Sequence, residues 1–339
     1  MSMPSVCAVR LLPWSQPLAA FATAALLGAA WCAIAVPAAA QPFPARPIRI
    51  VVPYPPGGAV DAVGRMLAQR LQENFGQTVL VDNRAGASGT IGSEFVARAP
   101  ADGHTLLVNA SIHVINPHVL KSVPFDALRD FTPVTLIARG PLLFVINPAL
   151  PARTVREFIA LAKRQPGAMT FATSSLGSAG HLAEEQFRLQ SATALTIVPY
   201  KGSGPALADV IGGHVMAMID PVLSALPHVQ SGRLRALAVT SGKRLAILPD
   251  LPTVAESGLP GFEFYSWYGM WGPPAMPKEA TQVLQAASAR ALRQGDFSER
   301  LGAQGFEPVG SSSADFAQFL QQESALYSRI VKQAKIVVD

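Results

Sequence analysis

Past residue 40 the chain holds no cysteine, since Cys7 and Cys32 both lie before it. That absence removes disulfides, thiol nucleophiles and zinc–thiolate sites from the remainder and leaves packing alone to hold the fold. Charge is scarce too, at 14% of residues, with 27 basic against 22 acidic side chains and a net charge of +5. The basic residues are scattered rather than clustered with aromatics, which argues against a nucleic-acid surface, whereas a mild positive field suits a small anion. No GxGxxG and no GxxxxGKS/T occurs, so neither a dinucleotide nor a nucleoside triphosphate is indicated; HExxH and GxSxG are missing as well. The six histidines, His104, His113, His118, His181, His214 and His228, show no metal spacing. No cofactor is called for.

Residues 1–40 carry a single charge, Arg10, and an apolar run over 18–36 that ends at Pro37 and Ala38-Ala39-Ala40 before Gln41. This is the pattern of a secretory signal peptide, expected to be cut after Ala40 and to place the protein in the periplasm. The run is long enough to serve instead as an uncleaved anchor. No later run reaches that length. With 339 residues the chain should form about two domains.

In the remainder, strand and helix patterns alternate. Residues 48–54 read as a buried strand broken by Pro55-Pro56-Gly57-Gly58, and Val63, Leu67 and Leu71 give 60–75 a helical period. A strand over 78–81, a helix over 91–99 and a strand over 105–108 continue the series, which argues for layered α/β domains with mostly parallel sheets. In such sheets ligands settle at the carboxyl ends of strands. Val51-Val52-Pro53-Tyr54 before Gly57-Gly58 is echoed by Val198-Pro199-Tyr200 before Gly202 and Gly204; three shared letters alone could be coincidence, but the shared order of strand, glycine turn and helix supports two similar halves. Stretches 144–148 and 265–274 are candidate crossings between them.

Two turns are candidate sites. The first runs from Tyr54 through Gly57, Gly58, Ala59, Val60 and Asp61; its glycines admit a close ligand, and the next helix opens with free N–H groups suited to an anion. An ordinary strand-to-helix turn would look the same. The second, Thr173, Ser174, Ser175, Gly177, Ser178 and His181, again joins strand to helix and offers hydroxyls with amides, although serines also favour plain helix caps. Asp220 ends an apolar strand and either points into the cleft or caps the segment from Pro221 onward. Arg84 is a candidate carboxylate clamp or a turn stabiliser. Six aromatics from Phe262 to Trp271 read as a buried strand with hinge packing, or set one ring over a ligand. A hydrolase built on Ser175 or Ser178 with His181 is a remote alternative, since nothing ties one serine to a histidine and an acid.

Seven ordered blocks, VPYPPGGAVD, VDNRAGASGTIG, INPHVLKSVPFDALRDFTPV, GSAGHLAEEQF, VPYKGSGPALADVIGGHV, SGRLRALAVTSGKR and LPDLPTVAESG, resemble the Bug family, the TctC-type receptors of tripartite tricarboxylate transporters. The resemblance implies a bilobal, type II periplasmic-binding-protein (Venus-flytrap) fold of two doubly wound α/β domains, with residues 41–143 plus 269–339 in one and 144–268 in the other. It implies a monomer that is no enzyme and binds a small organic carboxylate, for delivery to large and small transporter membrane subunits or to a sensor kinase. It also implies a carboxylate gripped between loops 54–61 and 173–181, with a third contact at Asn109-Ala110-Ser111-Ile112-His113 and an acidic position at Asp220. Pro55-Pro56 departs from the small residues common in the family before the double glycine.

Overall fold

The computed structural model describes residues 43–293, 296–303, 305–334 and 336. The expected signal peptide lies outside them. Strand β1 (Ile48–Val52) is a run of aliphatic residues of which only Arg49 is exposed, so both of its faces are covered. It pairs in parallel with β2 (Val79–Asn83) and β3 (Thr105–Ala110). Helix α1 (Ala59–Phe75) buries Val63, Leu67 and Leu71 on one stripe and stops at Gly76, whose left-handed backbone (φ 64°) lets its N–H reach the Gln72 carbonyl. Helices α2 (Thr90–Ala97) and α3 (Ile112–Val119) complete this wing.

Strand β4 (Thr132–Ile146) then runs for 15 residues. A second wing follows, made of α4 (Val155–Arg164), β5 (Thr170–Thr173), α5 (Ala179–Ser191), β6 (Thr196–Pro199), α6 (Ser203–Gly212), β7 (Ala217–Pro221), α7 (Val222–Gln230) and β8 (Arg235–Val239). The chain returns through β9 (Tyr265–Gly272) and ends in α8 (Lys278–Arg293), α9 (Asp296–Gly302), β10 (Glu307–Pro308) and α10 (Ser313–Ala334).

The ten strands form one sheet in the order β2-β1-β3-β9-β4-β7-β5-β6, with β8 and β10 also paired to β4. Its wings are parallel, as expected, but its centre is not: β9 lies antiparallel to β3 and β4, and β7 and β8 antiparallel to β4. The reason is positional, because β4 serves both wings and its neighbours come back to it from either side. Its residues up to Pro141 pair with β9, and from Leu142 onward with β7. The stretches read as crossings, 144–148 and 265–274, are therefore largely regular strand: the first holds the end of β4 and the second all of β9.

The second wing is centred on four fully buried rings, Phe144, Phe158, Phe171 and Phe187, with Phe144 at 5.0, 5.3 and 5.1 Å from the other three centroids. Such offset and edge-on pairs add about 0.5–1.5 kcal/mol each beyond burial. No described helix is long and apolar enough to cross a membrane.

Candidate functional site

Five helices begin at one cavity. Its walls include Gly58, Ala59 and Val60 at the start of α1, Ser111 and Ile112 at α3, Ser178, Ala179 and Gly180 at α5, Gly202 and Ser203 at α6, and Pro221 before α7. The cavity volume is about 50 Å³, room for about three or four water-sized groups. Four of the five helices, α1, α3, α6 and α7, have no side-chain hydrogen bond at the N-cap. Their first N–H groups lack helical partners, and each start carries a partial positive charge. No arginine, lysine or histidine is among the lining residues. What the wall offers an anion is therefore backbone N–H groups, beside one carboxylate, Asp61, whose charge is met by Arg65 at 3.0 Å.

The first loop is built by Asp61. Its carboxylate accepts hydrogen bonds from the Gly57 N–H at 3.1 Å, from Arg65 Nε at 3.0 Å and from Asn83 Nδ2 at 2.9 Å. Burial raises its pKa, but these donors outweigh burial and hold it below the ordinary carboxylate value. Asn83 also donates to the Tyr54 carbonyl at 2.9 Å, so one side chain ties both ends of the turn. Gly57 needs its glycine, with φ at 91°. The Tyr54 ring lies against Gly89, where a Cβ would come within 2.7 Å of its hydroxyl. Among the described residues that hydroxyl has no hydrogen-bond partner.

The second loop is stapled in the same manner. Ser178 Oγ accepts the His181 N–H at 3.0 Å as the cap of α5, and His181 Nδ1 accepts the Gly177 N–H at 3.1 Å. His181 Nε2 stands 3.9 Å from Glu185. Burial lowers the pKa of this histidine despite the Glu185 charge, and its Nδ1, accepting an N–H, is occupied with the loop. It is not placed as a general base for Ser178, whose hydroxyl already serves the cap.

Behind the wall sits a carboxylate, Asp220, fully buried and accepting hydrogen bonds from Ser203 Oγ at 2.7 Å and from Ser224 Oγ. Burial pushes it up to about 6 although both hydroxyls work the other way. Glu184, also fully buried, accepts the Ile219 N–H at 3.1 Å, and burial holds its pKa well above the ordinary value.

Of the residues expected from sequence, Tyr54, Gly58, Ala59, Val60, Asp61, Ser111, Ser174, Ser175 and Ser178 line the cavity together. Gly57, Thr173, Gly177, His181 and Asp220 are not on its surface; they hold the residues that are. His113 departs furthest. It is packed against Phe131 (4.5 Å), Trp271 (4.7 Å) and Phe125 (5.6 Å), and burial drives its pKa down to about 3 against the pull of the Ala127 backbone. It is a core residue one position inward from Ile112. Arg84 acts as a turn stabiliser, bound to Asp82 at 2.8 Å and stacked 3.7 Å over Phe95. Tyr268 lines the cavity too, whereas the lining residues Gly202, Ser203, Pro221 and Ser266 were not among the candidates. For Gly202 and Ser203 the signal existed, since they belong to the echo of the first turn; Tyr268 lies in the aromatic block whose two readings stay open in the sequence.

The family model described as tripartite tricarboxylate transporter family receptor, TctC, matches residues 63–336. The chain belongs to this family. Protein BugT of Bordetella pertussis is 38% identical over 302 residues, covering 88% of this chain and 93% of BugT. A protein of R. palustris solved with adipate is 38% identical at a TM-score of 0.85, covering 87% of this chain and all of that one. MatC of Rhodopseudomonas palustris, with bound malate, is 31% identical at a TM-score of 0.81, over 85% of this chain and all of MatC. The TctC family is one of periplasmic solute-binding receptors rather than enzymes, and the expected α/β binding-protein fold is the fold observed.

Proposed function

We propose that this TctC-family receptor binds one small carboxylate-bearing solute in the cavity where the five helices begin, and hands it to the membrane subunits of a tripartite transporter. The observation that carries the reading is the convergence of α1, α3, α5, α6 and α7 on a cavity with no basic side chain. A buried carboxylate needs several donors. Charge-assisted hydrogen bonds from backbone N–H groups contribute roughly 1.5–3 kcal/mol each. That solved relatives carry adipate and malate, both carboxylates, supports the class of solute.

In this reading residues 43–143 with 269–336 form one lobe and 144–268 the other, and β4 and β9 carry the hinge. The loop 54–61 belongs to the first lobe, and loops 173–181 and 202–204 to the second. Closing the lobes brings them together over the solute. Export requires a leader, cut after Ala40, so the secreted protein should begin at Gln41 by mass spectrometry.

A thermal-shift screen of mono-, di- and aromatic carboxylates tests the binding claim. A ligand at 100 times its Kd adds about 2.7 kcal/mol of stability, enough for a clear shift. If neutral compounds raise the midpoint and no anion does, the carboxylate reading fails. Delivery is tested separately, by uptake of the identified solute in cells with and without this chain.

A further inference from the structure

The two echoed turns meet face to face. A Cβ built on Gly58 would lie 3.6 Å from Ser203 Cβ, and one on Gly202 would lie 3.0 Å from Pro55 Cδ. Gly202 is obliged to be glycine by its own backbone, at φ 134°. Gly204 is not, because its φ lies outside the left-handed range. Yet a Cβ there would stand 2.9 Å from the Pro56 carbonyl oxygen, 3.8 Å from the Gly57 carbonyl carbon and 3.9 Å from Gly57 Cα. These three nearest atoms all belong to the opposite turn.

We propose that Gly204 is an affinity-determining residue which lines no part of the cavity: the notch it leaves admits Pro56 and sets how far the two lobes close on the solute. The proposal rests on the binding reading above. Three facts combine. The obstructing atom is a backbone oxygen, which cannot swing aside as a side chain would. It is carried by Pro55-Pro56, whose rings fix φ and make the turn stiff. And Gly204 sits in the first turn of α6, where alanine is the better helix former. An added methyl group therefore costs the closed form a clash and costs the open form nothing.

The test compares the exported wild-type protein with Gly204→Ala and with Gly212→Ala. Gly212 lies at the far end of the same helix, where an added Cβ would meet only the His214 ring, at 3.1 Å. Apo thermal midpoints and dissociation constants are measured with acetate, malate, citrate, adipate and benzoate. We expect Gly204→Ala to match or exceed the wild-type apo midpoint and to bind the carboxylate that the wild type prefers about ten- to a hundredfold more weakly, the range that overpacking a fitted contact costs. Gly212→Ala should bind as the wild type does. Wild-type affinity in Gly204→Ala overturns the proposal, as does a collapse of its apo midpoint, which would make Gly204 a folding residue. A wild type that binds none of the five acids refutes the carboxylate reading instead, and the proposal falls with it.

Discussion

Replacing Asp220 with asparagine should flatten the pH dependence of stability. In the folded protein burial raises this carboxyl from the ordinary 3.8 to about 6, while in the unfolded chain it returns to the ordinary value. Between those two values the folded state holds more protons than the unfolded state, so stability falls as pH rises through that window. Two pKa units correspond to about 3 kcal/mol in full, of which about 1.4 kcal/mol accrues between about pH 5 and about pH 7.5. The groups facing Asp220 are the hydroxyls of Ser203 and Ser224, with Glu184 and Tyr268 nearby; none of them is altered. Glu184 is coupled to Asp220, whose charge helps to raise its pKa, so loss of that repulsion in the variant adds to the difference in the same direction. Urea unfolding of wild type and Asp220→Asn at the two pH values gives four free energies. The wild type should gain at least about 1.4 kcal/mol more than the variant on acidification. Equal gains in both proteins would show that Asp220 is not ionised against its environment, and the account of the buried carboxylate would be wrong.

Gly58→Val should abolish any carboxylate-induced thermal shift while leaving the apo midpoint nearly unchanged, because the Cβ already stands in contact with Ser203 at 3.6 Å and the two further methyl groups add bulk between the facing turns; an undiminished shift would move the site elsewhere. Asp61→Asn removes the ion pair to Arg65 and one acceptor of the turn, and should cost about 1–3 kcal/mol in urea unfolding near neutral pH. Since the Asp61 pKa is lowered, its contribution is complete above the ordinary carboxylate value and fades as pH falls through the folded one; a loss that persists undiminished at low pH would contradict this. Phe187→Ala should destabilise the chain by about 3–5 kcal/mol without changing which acids are bound, since the ring touches Phe144 and Phe171 rather than the cavity; altered ligand preference would refute that separation.

Much of this site is legible in the chain. Glycines and serines between an aliphatic run and an amphipathic period mark loops 54–61 and 173–181, because only strand-to-helix turns combine those features. What escapes is contributed by the sheet. Ser266 and Tyr268 reach the cavity because β9 inserts between β3 and β4, and no local pattern encodes that neighbourhood. His113 misleads for the opposite reason: polar by type and adjacent to lining residues, it is turned by α3 into an aromatic box. Strand β4 is hard to read as a single element because Gly140-Pro141 sits inside it. That dipeptide falls where the partner changes from β9 to β7, a place where a missing N–H is tolerated.

What the proposed site offers an anion is peptide groups at helix starts, and these do not titrate, cannot be acetylated and keep their orientation as long as the helices stand. The peptide part of the grip should therefore hold from mild acid to mild alkali, and what pH dependence remains should come from the solute's own ionisation and from Asp220, which loses its proton near pH 6 behind Ser203. A receptor working outside the inner membrane meets shifts of acidity that the cytoplasm is spared, and one whose attraction lies in its backbone has little there to lose.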